Sequence, residues 1–205
     1  MQYQKEEVRN RILCAAYGEF LKYGFYRASM LQISSKARVP IGNLYRYFKS
    51  KEALFEAIVG AAYEETANAE RRIFEKWLRK GGTVSGEDTP VELIGEIAEE
   101  LASLSAAHRD GITLLIEKSE GSPYAGFVAK TADAVYGMLK EGVLSGLAED
   151  DEVFVRIVAR SVTEGIIAII TKCEPEVQSA QFIRLLVFYF GNMKGRLYVK
   201  EPERK

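Results

Sequence analysis

Apolar residues recur along this chain at spacings of three and four and almost nowhere at spacings of two, a periodicity that predicts helices. Val8, Ile12, Ala15, Ala16 and Phe20 draw one apolar face over residues 5–23, and Gly24 supplies a stop where a left-handed residue is cheapest. Ser29, followed three residues later by Gln32, reads as a capping box. It opens a short helix over 30–37 with Ile33 and Ala37 facing inward. After a turn at Arg38-Val39, Pro40 occupies a first helical position, where its missing N–H is harmless, and the helix runs on to Phe48. Ser50 caps a fourth helix, with Glu52 in its first turn, and apolar periodicity carries that helix to about Arg79. A second capping box, Thr89 to Glu92, opens a fifth helix reaching about Ala107. Further helices are expected over 111–118, from the Gly121-Ser122-Pro123 break to about Leu144, over 152–172 and over 175–198. The stretch Lys80–Thr89 is the one loop of any length. Nine helices, three short, one long and then a bundle, define an all-α class.

Composition narrows the class. The chain has 205 residues, 47% hydrophobic and 28% charged, too apolar for disorder to be its main state. Cys14 and Cys173 lie far apart, which excludes a disulfide scaffold and fits a reducing compartment. Each is expected to be a small buried apolar residue. The most apolar runs, 165–170 and 185–190, reach about a third of a bilayer span, and the amino terminus is charged at once. A cytoplasmic protein with no membrane segment is the expectation. With a single histidine, His108, and no GxSxG, GxGxxG, GxxxxGK or HExxH, no metal, cofactor or catalytic site is expected.

Charge is unevenly spread. Residues 1–51 carry ten Lys and Arg against three acids, a net +7, while the remainder carries 18 basic against 26 acidic residues, a net −8. A basic head on an acidic body suggests that the head meets a polyanion. Within the head, residues 29–48 read as two short helices joined by a tight turn, the outline of a helix-turn-helix. In that motif the second helix enters the major groove. Leu44 and Phe48 are core candidates, whereas Ile41, Asn43, Tyr45 and Arg46 form an exposed set. Gly42 in mid-helix costs about 1 kcal/mol against Ala, a cost that makes sense where the backbone must come close to something.

Residues 12–54 resemble the amino-terminal DNA-binding domain of the TetR (tetracycline-repressor-like) family. The resemblance is carried by Tyr23-Gly24-Phe25, by Ala37-Arg38-Val39, and above all by Leu44-Tyr45-Arg46-Tyr47-Phe48-Lys49-Ser50-Lys51-Glu52-Ala53-Leu54. The family commonly has Gly where this chain has Arg38, Ala where it has Ser34, and Ser or Thr where it has Pro40. The resemblance implies DNA contacts from Met30, Leu31 and Gln32, from Ile41, Gly42, Asn43, Tyr45, Arg46 and Tyr47, and from Lys51. Chemistry divides these roles. Asn43 and Arg46 suit bidentate pairing with adenine and guanine, although Arg46 equally suits a phosphate. Tyr45, Tyr47 and Lys51 suit phosphates, and Ile41 a thymine methyl.

For the remainder, the resemblance implies a DNA-binding domain over residues 1–50 and a ligand-binding and dimerisation domain over 51–205. Double-stranded DNA with a palindromic operator, a small-molecule effector of unknown identity and a second copy of the chain are the implied partners. The helices over 152–172 and 175–198 are apolar around most of their circumference, which suits a homodimer. Gly165 with Ala168, and Gly191 with Gly195, would let helices approach closely. Effector-pocket candidates are Tyr63, Phe74, Trp77, His108, Leu115, Tyr124, Phe127, Tyr136 and Met138. His108 equally suits a helix end, where a cation is favoured. Arg160 and Glu164, one turn apart, suit a mutual pair, a ligand or a partner subunit. The implied function is a ligand-responsive transcriptional regulator, most often a repressor. The alternative is a helical interaction or nucleoid-associated module without an effector.

Overall fold

The computed structural model describes residues 2–79, 89–143 and 152–191. Among the described residues there are eight helices and no strand: α1 (Gln2–Arg27), α2 (Met30–Ala37), α3 (Ile41–Tyr47), α4 (Lys51–Arg79), α5 (Val91–Glu117), α6 (Phe127–Val143), α7 (Glu152–Lys172) and α8 (Pro175–Phe190). No helix among them is long and apolar enough to cross a membrane. The expected loop at 80–88 and the last part of the final helix, 192–198 with Gly195, lie outside the described residues.

Two helix ends fall where the sequence expectation put them, although helical structure resumes beyond each. Helical backbone is interrupted at His108 (φ −129°, ψ 21°), just after the expected end near Ala107, and the helix expected over 111–118 follows across this kink within α5. It is interrupted likewise at Gly24 (φ 72°, ψ 165°), the expected stop, and a further turn to Arg27 follows, with the Phe25 N–H on the Lys118 carbonyl (2.8 Å) and the Ala28 N–H on that of Gly24 (3.0 Å). Other features differ from the expectation. Pro40 is the cap of α3 and not its first residue, since the turn leaves it extended (ψ 139°). Ser29 has the extended backbone of an N-cap, yet its side chain makes no capping bond, so the expected capping box with Gln32 does not form. The Ser29 carbonyl does accept from Ile33 (3.0 Å), so the helix begins at the backbone level there. Ser50 behaves as expected, its hydroxyl accepting from the Ala53 N–H at 3.2 Å. Cys14 is exposed and Cys173 half-buried, so neither is the buried residue expected.

The chain forms two compact units. The first comprises Met1–Thr66 and His108–Val128. Its core is an aromatic triad: Phe20 meets Phe55 at 5.0 Å and Phe25 meets Phe55 at 5.2 Å, both edge to face, with Phe20 and Phe25 stacked at 6.0 Å. Edge-to-face rings gain beyond their area burial. Ile12, Ala16, Ile33, Ala37, Leu44, Phe48 and Leu54 complete the apolar interior. Tyr17 donates to Asp110 at 2.8 Å, and burial, then the Asp110 carboxylate, push its phenol up to about 12. Gly111 lets α5 lie close to α4, for a Cβ there would stand 2.6 Å from the Ala62 Cβ.

The second unit comprises Ala67–Ala107 and Ala129–Lys205. Leu93, Ile94, Ile97 and Ala98 of α5, Val155, Ala159 and Val162 of α7, and Phe182, Leu186 and Phe190 of α8 are buried in it. Gly165 of α7 admits Leu185 of α8: a Cβ there would lie 2.7 Å from a Leu185 methyl. That close approach is therefore within the chain. The buried Gln178 amide donates to the carbonyls of Cys173 (3.2 Å), Ile169 and Ile170 (both 3.4 Å). It thus adds a donor at the end of α7, where carbonyls lose their helical partners, although that of Ile169 also accepts from the Cys173 N–H at 3.0 Å.

Two glycines make the packing argument testable. Gly18 has nothing within 4 Å of its missing Cβ, so Gly18→Ala should gain about 1 kcal/mol of stability from helix propensity. Gly111→Ala has the same propensity gain, but its Cβ would collide with Ala62. Overpacking should outweigh the gain and leave that variant about 1–2 kcal/mol less stable. Urea unfolding of both variants checks the opposite signs.

Candidate nucleic-acid interface

The face of interest is built by α2 and α3 of the first unit. On α3 the buried residue is Leu44, with Phe48 buried just after the helix. Residues four apart share a helical face. Ile41 with Tyr45 and Gly42 with Arg46 therefore form the opposite, exposed surface, flanked by half-buried Asn43 and Tyr47. On α2, Ile33, Ser34 and Ala37 point inward, leaving Leu31 and Gln32 exposed and Met30 half-buried. The nine positions on these two short helices thus lie exposed or half-buried within one unit.

The turn between the helices explains two departures from the family pattern. Arg38 adopts the left-handed conformation (φ 54°, ψ 44°) at which glycine would be cheaper. Its N–H and that of Val39 bond to the carbonyls of Ser35 and Ser34, both at 3.1 Å. The buried Ser34 hydroxyl donates to the Val39 carbonyl at 2.6 Å. The hydroxyl that replaces the customary methyl therefore braces the turn that carries the unusual arginine.

Gly42 has ordinary helical backbone and no neighbour within 4 Å of its missing Cβ. Nothing in the chain's own packing requires a glycine there. The fold accordingly carries its propensity cost without an internal benefit, and the bare backbone is offered outward.

The tenth position, Lys51, is placed differently. Its ammonium donates to the carbonyls of Tyr26 and Ala28, both at 3.2 Å, and lies 4.5 Å from the Phe25 ring centre. It ties the start of α4 to the segment that enters α2. Other cations of the basic head are also engaged. Lys36 pairs with the buried Glu19 carboxylate, and the Arg9 guanidinium lies 5.5 Å from the Phe48 ring centre. A hydrogen bond from Ser50 holds the Glu52 carboxyl below its ordinary range, which keeps a negative charge at the start of α4. Tyr26, 76% exposed and packed on Gly121, adds an aromatic surface that periodicity did not single out. The only hint was its place just after the Gly24 bend. Between α1 and the end of α2 lies a groove of about 710 Å³ that includes Arg11, Cys14, Lys36 and Arg38.

The nine effector-pocket candidates fall into both units. In the first unit, Tyr63 lies 5.1 Å from Tyr124 and 6.1 Å from Phe127, and Leu115 is fully buried. Burial, helped by Glu56, raises the Tyr124 phenol. His108 sits at the α5 bend, half-buried. In the second unit, Trp77 is buried 5.3 Å from Phe190, with its indole N–H unpaired. Phe74 and Met138 are half-buried. Tyr136 donates to Glu152 at 2.9 Å, with Arg156 stacked 4.0 Å from its ring centre. Sequence periodicity missed Glu70, a half-buried acid whose carboxyl burial pushes up against the opposing hydrogen bond of Thr131. No sequence signal set it apart, because Glu64, Glu65 and Glu75 lie on the same helix and Arg71-Arg72 follow it directly.

Comparison with known proteins agrees with this geometry. A family profile described as bacterial regulatory proteins, tetR family, matches residues 12–58. Over 59 residues the chain is 44% identical to the HTH-type transcriptional regulator UidR of Escherichia coli K12, covering 29% of this chain and 30% of that protein. The UidR of Shigella flexneri matches over the same extent. The match thus spans less than a third of the length of these curated relatives. Two solved structures share the fold over most of the chain. A TetR-like transcriptional regulator from Rhodococcus sp. RHA1 superposes with a TM-score of 0.55 at 19% identity, over 87% of this chain and 92% of that one. NalD of Pseudomonas aeruginosa, described as the secondary repressor of the MexAB-OprM multidrug efflux pump, gives 0.51 at 18% identity, over 92% and 98%. The match to the tetR family of bacterial regulatory proteins thus covers residues 12–58, and the described residues of the chain are all-α.

Proposed function

We propose that this chain is a DNA-binding transcriptional regulator that acts as a homodimer, represses from a palindromic operator and is released by a small molecule. Residues 1–50 would bind DNA, and 51–205 would bind the effector and dimerise. The observation that carries the reading is the outward face of α3, where Ile41, Tyr45 and Arg46 surround Gly42, a glycine that the chain's own packing does not need. A major groove about 12 Å wide admits one helix, and a missing Cβ lets that helix sit closer to base edges or phosphates. Asn43 and Arg46 would read bases. Ile41 would touch a thymine methyl, and Tyr45, Tyr47 and the third proton of Lys51 would meet phosphates. Met30, Leu31 and Gln32 would brace α2 against the backbone.

The dimer is supported by apolar side chains that remain exposed on α7 and α8: Val153, Phe154, Ile157, Val177, Ile183, Val187 and Phe188. Such a patch marks an interaction surface. Two half-sites also need two reading heads. The release mechanism draws on α4, a continuous helix of 29 residues, about 43 Å long at 1.5 Å per residue, that begins at Lys51 beside the reading helices. An effector held by residues farther along α4 would bias the position of its start. It can do so only by the difference in its affinity for the bound and released states.

Selection of bound duplexes from a random pool tests the reading directly: a palindromic site is expected, and recovery of no sequence at low salt overturns it. On that site, log affinity should fall linearly and steeply with log salt through counterion release. Asn43→Ala should relax one base position by about 1–3 kcal/mol, read as a flattened preference there. Gly42→Ala should raise stability by about 1 kcal/mol while weakening DNA binding, and a variant that binds as well as the parent removes the close approach. Arg46→Ala should weaken binding with stability within about 0.5 kcal/mol of the parent. Lys51→Ala should lower both binding and stability, the latter by about 1–3 kcal/mol, because two carbonyls lose a charged donor.

A further inference from the structure

Among the described residues, Arg38 is the one residue other than glycine with a positive φ (54°). An L side chain is strained there, whereas glycine is not. The turn itself has no need of an arginine. It is closed by the N–H groups of residues 38 and 39 and by the Ser34 hydroxyl, none of which involves the Arg38 side chain. Arg38 is exposed, and among the described residues its side chain has no hydrogen bond, ion pair or ring contact. Strain from which the fold gains nothing points to a use outside the fold.

The surroundings narrow that use. Arg38 lines a groove with Arg11 of α1 and Lys36 of α2. Lys36 is compensated by the buried Glu19 carboxylate. Arg11, in contrast, is exposed and, like Arg38, has no partner among the described residues. Glu6 and Glu7 line the same groove, a helical turn or more before Arg11. The two open guanidinium groups, not the net charge of the groove, therefore define the site. Each is a planar fork of donors that matches phosphate oxygens. Arg38 also precedes Ile41, the first residue of α3, by three residues, so at most about 10 Å separates their Cα atoms. A major groove about 12 Å wide is walled by phosphates on both sides, which puts a long cation this close to the start of a groove-lying helix within reach of a wall. We propose that Arg38 and Arg11 together hold one phosphate of the DNA backbone beside the groove that α3 enters, a contact that positions the head without reading bases. The inference rests on the DNA-binding reading above and adds a site to it.

Affinity of the full chain for a selected duplex, measured from about 50 to 200 mM salt, tests this. R38Q keeps the left-handed strain and removes the charge. R38Q and R11Q should each weaken binding about threefold to fivefold at the low-salt end. R11Q/R38Q should weaken it about tenfold and lower the slope of log affinity against log salt by about 1, the loss of one phosphate. R38G relieves the strain, so it should melt at a higher temperature than the parent and still bind as weakly as R38Q. K22Q, which removes a cation of α1 that does not line the groove, should keep the parental slope. Base preferences selected by R11Q/R38Q should match those of the parent. R38Q, R38G or R11Q binding as tightly as the parent overturns the site. A slope lowered by about 2 in the double variant means two phosphates and overturns the shared contact. An equal loss of slope in K22Q assigns the effect to net charge, and an altered base preference assigns it to base reading; either overturns the proposal. A parent that binds no duplex at low salt overturns the regulator reading itself, a separate result.

Discussion

The ammonium of Lys51 sits where three segments of the first unit meet. It bonds the carbonyls of Tyr26 and Ala28, which would otherwise end α1 and enter α2 unpaired, and it lies over Phe25 of the aromatic triad. A charged donor to backbone acceptors is worth more than a neutral one, and half-burial reduces its screening. The Gly24 bend and the Phe25–Lys118 backbone bond bring those carbonyls to it. Leu54 and Phe55, one turn along α4, lie in the same core. This clamp ties the start of α4 to the segment that enters α2, beside the aromatic core that packs the same helices.

It follows that the basic head is not simply a positive surface. Its net charge is real, but part of it is spent inward: Lys36 on the buried Glu19, Lys51 on carbonyls, Arg9 on a ring. Arg38 stands at a strained turn position. Arg46, in contrast, lies on the exposed face of α3. Counting charges identifies a candidate segment, but only the partners of each cation show which charges remain available outside.

Much of this was legible in the chain. Periodicity marked the inward residues Ile12, Phe20, Ile33, Ala37, Leu44 and Phe48, all of them buried, and it set α7 to the residue. Local backbone choices were less legible. Spacing placed the break at His108, but the close approach of α5 to α4 just beyond it, Gly111 against Ala62, carries no sequence signal. A capping box at Ser29 satisfies every sequence rule and still does not form. The clamp role of Lys51 was hidden too, since its partners are backbone atoms of a segment some two dozen residues earlier, and backbone atoms carry no sequence signal. The Ser34 hydroxyl acquires meaning only beside the Arg38 turn.

The chain has a single tryptophan, Trp77, buried against Phe190 in the second unit. The first unit, with all of α1, α2 and α3, has none. Intrinsic emission excited at the red edge of the protein spectrum is therefore a private reporter of one half of the molecule. Loss of order confined to the first unit would leave that light unchanged while circular dichroism fell, so the separation of the two signals measures how far the halves melt as one.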